Sequence, residues 1–493
     1  MSLFNLERTT NYYVENPIIA NALIILHNFP LSEKEPKLFR NPEEQFGILE
    51  LKMAKTQQTD RPTYLEMDID VSGSMEEKVK GFLTKLDFVK KTLESMCQFI
   101  AEQSTATFYI KVNIFDSGYT TVIPVTRVTL ENRLELIQKI LNIVANGCTN
   151  IEKTFLESKK SIKQYRDANP THKIVYILLT DGNPTAGNTS PTYLESIKPL
   201  GENKCIGYGD DHNANLLGRC GDYYFVNDFD NTGKVYGEIL HKLLYPALED
   251  ITISVTDGEI FNSKTNSWES SLKIPDLYSQ QERIFHVKTT TNNIEATIRG
   301  KIVGNMDGIV QNNLVEELYT ASLLPDLLDS ETGILEPVDL RKYMYRQKTQ
   351  ELMFESIEYA KQHIAPVFYK DTVQQFFNEM REYMRENNLL EDPFMKLLCD
   401  DILVTFKTFG TDKAEMYTTS RHAGQSNQSA CRASSQPLDE RRCYVQRSNA
   451  CYQDEDEVED AGDDLNRFTS QQQDDTLFVN ENIQETMRCV SGM

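Results

Sequence analysis

The segment YLEMDIDVSGS, residues 64–74, decides the fold of this chain. Residues 64–69 form a short β-type run, and the polar side chains of Asp70, Ser72 and Ser74 follow it in a turn. Beyond the turn, apolar side chains recur at intervals of three and four, as in a helix that packs on a sheet. This apolar stripe comprises Phe82, Leu86, Val89, Leu93, Met96 and Ile100. The segment therefore predicts a strand, a polar turn and a long helix.

The same alternation of strand and helix continues to about residue 245. Strands are predicted at 108–115, 120–128, 174–179, 204–207 and 223–226, and helices at 130–145, 151–167 and 232–244. The turn at 116–118 makes the first two strands a hairpin, and hence makes one strand antiparallel. The run 174–179 is apolar throughout, as expected of a strand that is covered on both faces. The predicted fold class is α/β: a doubly wound, mostly parallel sheet over residues 62–245.

The flanks of this unit have a different character. Residues 246–312 carry β-branched and alternating runs between turn residues, which predicts a β-sandwich, and residues 1–61 contribute strands to it, including 46–53. The α/β unit is then an insertion in the sandwich. Residues 313–410 are predicted to be helical, residues 411–475 disordered and acidic, and residues 476–493 a short C-terminal motif. Eight of the eleven residues from 454 to 464 are acidic, so that run cannot bury enough apolar surface to fold.

Composition excludes several classes of function. The chain has 493 residues and a net charge of −23, which argues against binding to nucleic acid and to anionic membranes. No run of about 18 apolar residues exists to span a membrane, and no basic leader precedes the first apolar run. The nine cysteines are odd in number and scattered, as in reduced intracellular proteins. We therefore expect a cytoplasmic protein without a signal peptide.

Oxygen-bearing side chains recur where the predicted strands end. Asp70, Ser72 and Ser74 follow the first strand, and Asp181 ends the apolar strand in LLTDG, residues 178–182. Thr149 lies in GCTN, residues 147–150, between two helical patterns. Ligands of open α/β sheets bind beyond the carboxyl ends of the strands. Because oxygen ligands suit hard divalent cations, these five residues predict a metal site.

The strings DVSGSM, GCTNI and LLTDG, in this order, resemble the metal-ion-dependent adhesion site of von Willebrand factor type A domains. The resemblance implies that Ser72 and Ser74 bind the cation directly, and that Thr149 does so directly or through water. Asp70 and Asp181 would supply charge, partly through bridging waters. It further implies bound Mg²⁺, or Mn²⁺ or Ca²⁺, and a protein partner that presents an Asp or Glu carboxylate to it. The implied function is adhesion without enzymatic activity.

The regions around this unit carry fainter resemblances. Cys148 stands where the family often has a second glycine, and it leaves Thr149 in place. The flanking strands resemble a β-sandwich that wraps some type A domains. The helical segment and residues 421–436 resemble the intein-associated region that follows type A domains in some plant ubiquitin ligases. Ligase activity is not implied, because the chain has no pair of CxxC motifs with ring-finger spacing.

Two other classes of function stay open. Asp68 and Asp70 fall on one side of a strand and resemble the nucleophile and acid of a haloacid-dehalogenase-type phosphatase, and residues 209–211 resemble its acidic metal motif. Against this alternative, no lysine motif is evident to stabilise phosphoryl charge, and Ser74 and Thr149 would be coincidences. The other alternative is a structural component of an assembly, in which the metal serves stability alone.

The remaining candidate residues favour plainer interpretations. Cys431, Cys443 and Cys451 with His422 have no tight zinc-binding spacing, so we interpret them as scattered thiols. His212 is interpreted as a loop or cap residue. The acidic run is most simply a solvated tail, and residues 476–490 regain apolar side chains that predict a short docking motif.

Overall fold

The computed structural model describes residues 19–26, 44–226, 232–291, 293–306, 309–310, 314–320, 339–429 and 481–492. The strands are β1 (Ile19–Leu26), β2 (Gln45–Met53), β3 (Thr63–Asp70), β4 (Lys78–Lys80), β5 (Leu83–Thr84), β6 (Phe108–Phe115), β7 (Tyr119–Arg127), β8 (Lys173–Thr180), β9 (Glu202–Tyr208), β10 (Asp222–Val226), β11 (Pro246–Thr256), β12 (Glu259–Asn262), β13 (Ser267–Glu269), β14 (Ser271–Ile274), β15 (Leu277–Tyr278), β16 (Glu282–Thr289), β17 (Glu295–Ile302), β18 (Asn305–Met306), β19 (Ile309–Val310) and β20 (Leu314–Thr320). The helices are α1 (Lys85–Gln103), α2 (Arg133–Leu141), α3 (Ile151–Ala168), α4 (Pro191–Ile197), α5 (Ala214–Cys220), α6 (Thr232–Leu244), α7 (Leu340–Lys361), α8 (Val367–Glu386), α9 (Pro393–Thr408), α10 (Ala414–Asn427) and α11 (Glu481–Gly492). A short 3₁₀ helix spans Gly73–Glu76.

The central sheet has six strands in the order β10-β9-β8-β3-β6-β7. Strand β3 lies in the middle and pairs in parallel with both β6 and β8, whereas β7 is antiparallel to β6. The predicted α/β class with one antiparallel strand is confirmed. Because β3 and β8 are neighbours, the loops that follow Asp70 and Thr180 meet at one edge of the sheet.

Helices cover both faces of this sheet because successive side chains of each strand point to opposite sides. Leu65 belongs to a core shared with α1, α2 and α6. Tyr64, its neighbour in sequence, belongs to a core shared with α3, α4 and α5. Helix α11 packs closely on α6, since a Cβ on Gly237 would lie 2.5 Å from the Cα of Met487. The C-terminal apolar residues thus contact the α/β unit of this same chain.

Two packed sheets form the β-sandwich, in the orders β1-β2-β16-β12-β13 and β14-β11-β17-β20. Strand β2 precedes the α/β unit in the chain, yet it pairs with β16, which follows that unit. The predicted insertion of the α/β unit into a sandwich is therefore confirmed, although the predicted residue boundaries of the domains stay predictions. The apolar run near the N-terminus is strand β1, whose Ile24 and Leu26 are buried in the sandwich core.

Three sequence predictions about local structure are wrong. Helix α1 begins at Lys85 rather than before Phe82, because Thr84 and Asp87 cap it reciprocally, and Phe82 lies 89% exposed in the β4–β5 hairpin. Residues 314–320 are not helical but form β20, which completes a sheet by pairing with β17. Residues 414–427 are not disordered but form α10, which buries polar side chains against its neighbours.

Helices α7 to α9 share an apolar core around Leu352, Phe376 and Leu398, whereas Met416 and Tyr417 of α10 belong to the core that covers the α3 to α5 face of the central sheet. Within the described residues, no helix is both long enough and apolar enough to cross a membrane. The acidic run 454–464 and the cysteines at 431, 443 and 451 lie outside the described residues.

Buried neutral histidines make the fold sensitive to acid. Burial lowers the pKa of His212 and His241 to about 3, and that of His422 to about 4. Their pKa values in the folded chain lie below the ordinary value of about 6.5. The unfolded chain therefore takes up protons at a higher pH than the folded chain does, and the folded state loses stability as the pH falls below about 6.5. At about pH 5 each histidine lowers the free energy of unfolding by about 2 kcal/mol.

We expect the free energy of unfolding to fall between about pH 7 and about pH 5 in urea titrations, because the loss from the histidines exceeds the opposite contribution of Asp68 and Asp70, whose pKa values burial raises to about 7 and about 6. Replacing His241 with glutamine removes one of these titrating groups, so the variant should show a shallower slope with pH. An unchanged slope in the variant would show that His241 is protonated equally in the folded and unfolded chains.

Candidate metal centre

The predicted site lies at the carboxyl edge of the central sheet, where three loops are tied together by backbone hydrogen bonds. The N–H of Val71 donates to the carbonyl of Phe115 at 2.9 Å, which continues the sheet beyond β3. The chain then turns into the 3₁₀ helix, and the N–H of Gly73 donates to the carbonyl of Gly147 at 3.1 Å. These bonds place the loop that carries Thr149 beside the loop that carries Ser72.

Three of the five predicted residues form a continuous chain of side-chain contacts. The hydroxyl oxygens of Ser72 and Ser74 lie 3.1 Å apart, and the Ser74 hydroxyl donates to Oδ1 of Asp181 at 2.7 Å. Ser72 and Asp181 are buried, whereas Ser74 is exposed. Residues 107 positions apart in the chain therefore meet because β3 and β8 end side by side.

Asp70 holds the first loop in place. Its Oδ1 accepts the backbone N–H of Ser72 at 2.8 Å, and its Oδ2 accepts the hydroxyl of Thr180 at 2.5 Å. Burial raises the pKa of Asp70 to about 6 although both bonds act in the opposite direction. Asp70 thus brings a carboxylate to the site and also fixes the backbone conformation of the loop that carries Ser72 and Ser74.

Thr149 is brought to the same place by the third loop. Its N–H donates to the Thr185 hydroxyl at 3.0 Å, and its carbonyl accepts the N–H of Thr185 at 2.9 Å. A Cβ placed on Gly182 would lie 3.9 Å from both the Thr149 and the Ser74 hydroxyl oxygens, so the two hydroxyls flank one small space. Gly147 has φ +91° and packs against Asp116, where a side chain would not fit.

Lys85 also belongs to the site, and the sequence prediction missed it. Its ammonium group donates to Oδ2 of Asp181 at 2.9 Å and lies 2.6 Å from a carboxylate oxygen of Glu77. The side chain is only 3% exposed. A lysine in the first turn of a helix is disfavoured by the helix dipole, so this position signals nearby carboxylates. Long-range pairing with Asp181 could not be inferred from that signal alone.

Asp68 lies on the same strand but faces a closed polar cluster. Its carboxylate accepts hydrogen bonds from Asn113 and Tyr176, both at 2.8 Å, and from Ser158. Burial, followed by repulsion from Glu66, raises the pKa of Asp68 to about 7. A carboxylate that is fully buried and surrounded by donors has no access to a substrate, so this geometry does not support a nucleophile.

The set of donors fits a hard divalent cation. It consists of hydroxyl and carboxylate oxygens, and its two carboxylates roughly neutralise a charge of two. Among the described residues, no three His, Cys, Asp or Glu side chains gather as a metal site of another kind.

Both ring nitrogens of His212 are engaged, with the Gly209 carbonyl and the Tyr223 hydroxyl. His212 is therefore a structural loop residue, as the sequence predicts.

The doubly wound sheet with polar loops at its carboxyl edge defines a class of α/β domain that binds ligands at strand ends. Residues 69–238 match the family model of the von Willebrand factor type A domain. This part of the chain is therefore a type A domain. A comparison with curated protein sequences found no match.

Solved structures resemble the chain over a longer region. The von Willebrand factor type A protein from Catenulispora acidiphila is 13% identical, with 78% of this chain and 92% of that chain covered at a TM-score of 0.50. The ArnB paralog VWA2 from Sulfolobus acidocaldarius is 14% identical, with 86% and 96% covered at a TM-score of 0.46. At 13% identity, the first similarity shows a shared fold.

Proposed function

We propose that this protein is a metal-dependent protein interaction module without enzymatic activity. Its adhesion site would comprise Asp70, Ser72, Ser74, Thr149 and Asp181, and it would hold Mg²⁺, or Mn²⁺ or Ca²⁺. The observation that carries the proposal is the contact chain from Ser72 through Ser74 to Asp181, at the sheet edge where such domains bind ligands. The match of residues 69–238 to the type A domain family model supports an interaction role in general terms.

The five residues of the proposed site contribute two kinds of oxygen ligand, charged and neutral. Asp70 and Asp181 are the two carboxylates of the set, while Ser72, Ser74 and Thr149 contribute neutral hydroxyls. When bound, the cation would supply a Lewis-acidic centre that accepts a carboxylate oxygen from an Asp or Glu of a partner. Because the chain has a net charge of −23, this cation would also bridge two acidic surfaces that otherwise repel each other.

Lys85 supplies positive charge to Asp181 from within the chain. Asp181 is fully buried, and a buried carboxylate without a cation is costly. We expect Lys85→Met to lower the free energy of unfolding by about 3 kcal/mol in chelator, because Asp181 loses its ion-pair partner. Mg²⁺ should restore much of this loss, so the rise in melting temperature on adding Mg²⁺ should be larger for Lys85→Met than for the wild type.

Lys91→Met provides the matched control, since Lys91 lies on the same helix with an exposed side chain. Its melting temperature should respond to Mg²⁺ as the wild type does. Equal responses of Lys85→Met and Lys91→Met would contradict the shared role of Lys85 and the cation at Asp181.

The phosphatase alternative finds little support in the geometry. A nucleophilic Asp68 would need access to a phosphoryl group, but its side chain is fully buried within a hydrogen-bonded cluster. Phosphatase activity that is lost in Asp68→Asn but kept in Ser74→Ala would favour that alternative. A purely structural role predicts instead that metal removal lowers the melting temperature without releasing a partner.

We propose a cytoplasmic location and no lipid or nucleic-acid partner. The six cysteines that the structure describes are free, which supports a reducing compartment. The resemblance of the helical unit to an intein-associated region also stays a prediction.

Affinity purification with and without chelator tests the proposed function. We expect the wild type and Asp211→Ala to retain a partner in Mg²⁺ and to release it in chelator, and Asp181→Ala to retain none. Asp211 is a suitable control because it is an exposed carboxylate beyond the end of β9, at the same edge of the sheet. Partner binding that persists in chelator would contradict the mechanism.

A further inference from the structure

Two adjoining cavities lie away from the metal centre, and the larger one is at the opposite edge of the central sheet. The larger has a volume of about 510 Å³ and is lined by Lys173, Glu202 and Asp222, the first residues of β8, β9 and β10. The smaller has a volume of about 50 Å³ and lies between the sandwich and the end of α10. Lys264, Lys273, Ile274, Pro275, Arg283 and Asn427 line both cavities. Cavities of this size between domains are common places for small ligands.

The smaller cavity is strongly cationic. Lys264, Lys273, Arg283 and Arg346 line it, and its described lining includes no Asp or Glu. This contrasts with the net charge of −23 of the whole chain. Arg283 and Arg346 are buried, whereas Lys264 and Lys273 are exposed and Lys273 lies 4.0 Å from a carboxylate oxygen of Asp250. Two buried guanidiniums beside one small space repel each other, so an anion between them would be stabilised.

Arg283 is a buried guanidinium that points at backbone rather than at a carboxylate. Its Nη1 and Nη2 donate to the carbonyls of Asn427 and Ser426, at 2.9 and 3.0 Å, at the end of α10. Its Nε is buried without a hydrogen-bond partner. Burial lowers the pKa of Arg283 to about 10, which reflects the cost of a desolvated charge.

Arg346 approaches the same helix end from α7. It donates to the Gln425 side chain at 3.2 Å, to the Gln425 carbonyl at 2.8 Å and to the Ile284 carbonyl at 3.3 Å. Burial, together with the nearby Arg283, lowers the pKa of Arg346 to about 10. Two desolvated guanidiniums thus stand beside one cavity, and guanidinium is the protein group best matched to phosphate oxygens.

Unsatisfied polar atoms concentrate around the smaller cavity. Besides Arg283 Nε, the atoms His286 Nε2, Gln350 Oε1 and Asn427 Oδ1 are buried without hydrogen-bond partners, and all four residues line this cavity. Buried polar atoms in native proteins are nearly always paired, so these four atoms are available to hydrogen-bond with a bound molecule. Gln350 and Asn427 carry amide groups, which can present a donor or an acceptor to it.

The charged groups at the strand ends of the larger cavity are, by contrast, paired with one another. Lys173 lies within 3.0 Å of carboxylate oxygens of Glu202, Glu249 and Asp276. Lys204 lies 2.6 Å from both Glu202 and Asp222. Apolar and aromatic side chains, including Leu277 and Tyr278, complete the lining. This larger space is therefore suited to an uncharged organic group rather than to a second anion.

We infer that the two cavities together bind a phosphorylated small molecule, with its phosphate in the smaller cavity among Lys264, Lys273, Arg283 and Arg346 and its organic part in the larger cavity. The inference is independent of the proposed metal site, because the cavities lie away from that site. Each positive group that contacts phosphate is expected to contribute about tenfold to affinity.

Calorimetric titration of the full-length protein tests this inference, with ATP, inorganic phosphate and adenosine as probes. All titrations are made in chelator, so that ATP cannot bind through a metal at the adhesion site. We expect ATP to bind, inorganic phosphate to compete with it, and adenosine to bind at least tenfold more weakly than ATP. ATP that does not bind, or that inorganic phosphate does not displace, would overturn the inference.

Substitutions at the cavities test whether ATP binds there. Lys264→Ala should weaken ATP binding about tenfold, since Lys264 lines both cavities and its exposed side chain is not needed for folding. Lys91→Ala, a distant exposed lysine, should bind as the wild type does. Arg283→Lys, with folding checked by circular dichroism, keeps the charge but loses the planar fork and should also bind more weakly. Wild-type affinity in both Lys264→Ala and Arg283→Lys would overturn the assignment.

Discussion

Replacing Asp181 with alanine is expected to weaken Mn²⁺ binding at least hundredfold. The substitution removes one of the two carboxylates of the site, while the ammonium of Lys85 stays in the same cluster and keeps only Glu77 as its ion-pair partner. Losing one negative charge beside a retained ammonium makes the local potential more positive, which disfavours a cation. Isothermal titration calorimetry with Mn²⁺ measures the change in Kd directly.

The matched control for this prediction is Asp211→Ala, which removes the same charge from an exposed position at the same sheet edge. Its Kd should stay within a factor of about two of the wild-type value, because exposed charges are well screened. If Asp181→Ala and Asp211→Ala bind Mn²⁺ equally, only the net charge matters and the proposed site is wrong.

Replacing Arg421 with methionine is expected to lower the free energy of unfolding by about 3–5 kcal/mol. Arg421 lies on α10 with 1% of its side chain exposed, and its Nη1 donates to Asp400 at 2.7 Å and to Asp401 at 2.8 Å. Both carboxylates are on α9 and are buried. Methionine keeps the volume approximately but leaves two buried carboxylates without their cation, which is the costly case for a buried ion pair.

Urea denaturation of the variant measures this loss. Adding Asp400→Asn and Asp401→Asn to Arg421→Met removes the unpaired charges, so the triple variant should recover part of the stability. A loss of less than about 1 kcal/mol in Arg421→Met would show that the ion-pair cluster does not hold α10 against α9.

Arg421 also illustrates what the sequence did not reveal. The segment around it is rich in Ser, Gln and Arg, a composition that normally predicts disorder. Helix α10 nevertheless forms because its polar side chains are paired inside the protein: Arg421 with the two aspartates and Gln425 with Asp401 at 2.7 Å. These partners lie 20 to 24 residues apart in the chain, so no local sequence pattern reveals them.

Periodicity explains both the successes and the failures around the site. The stripe from Leu86 to Ile100 correctly predicted the buried face of α1, because one face of that helix packs on the sheet. Phe82 continued the same spacing, but the N-terminal cap formed by Thr84 and Asp87 makes the helix begin after Phe82. Periodicity reports which residues could share a face, whereas the cap decides where the helix begins.

The gathering of the candidate site could be predicted because it follows from topology. Asp70 and Asp181 follow strands that are parallel neighbours, and parallel neighbours end at the same edge. The role of Lys85 could not be predicted, because it depends on a side chain reaching across from the helix to the end of another strand. Local sequence patterns therefore predict the strands whose ends form the site, but they do not predict an individual ion pair between residues that are far apart in the chain.

The most direct test of the adhesion site is anomalous diffraction from a crystal grown with Mn²⁺. We predict one strong Mn²⁺ peak about 2.1 to 2.2 Å from the hydroxyl oxygens of Ser72 and Ser74, with Asp181 beside it. A strong Mn²⁺ peak at another place and none beside Ser72 and Ser74 would contradict the proposed adhesion site. The absence of any peak there, with the contact between Lys85 and Asp181 intact, would contradict it as well.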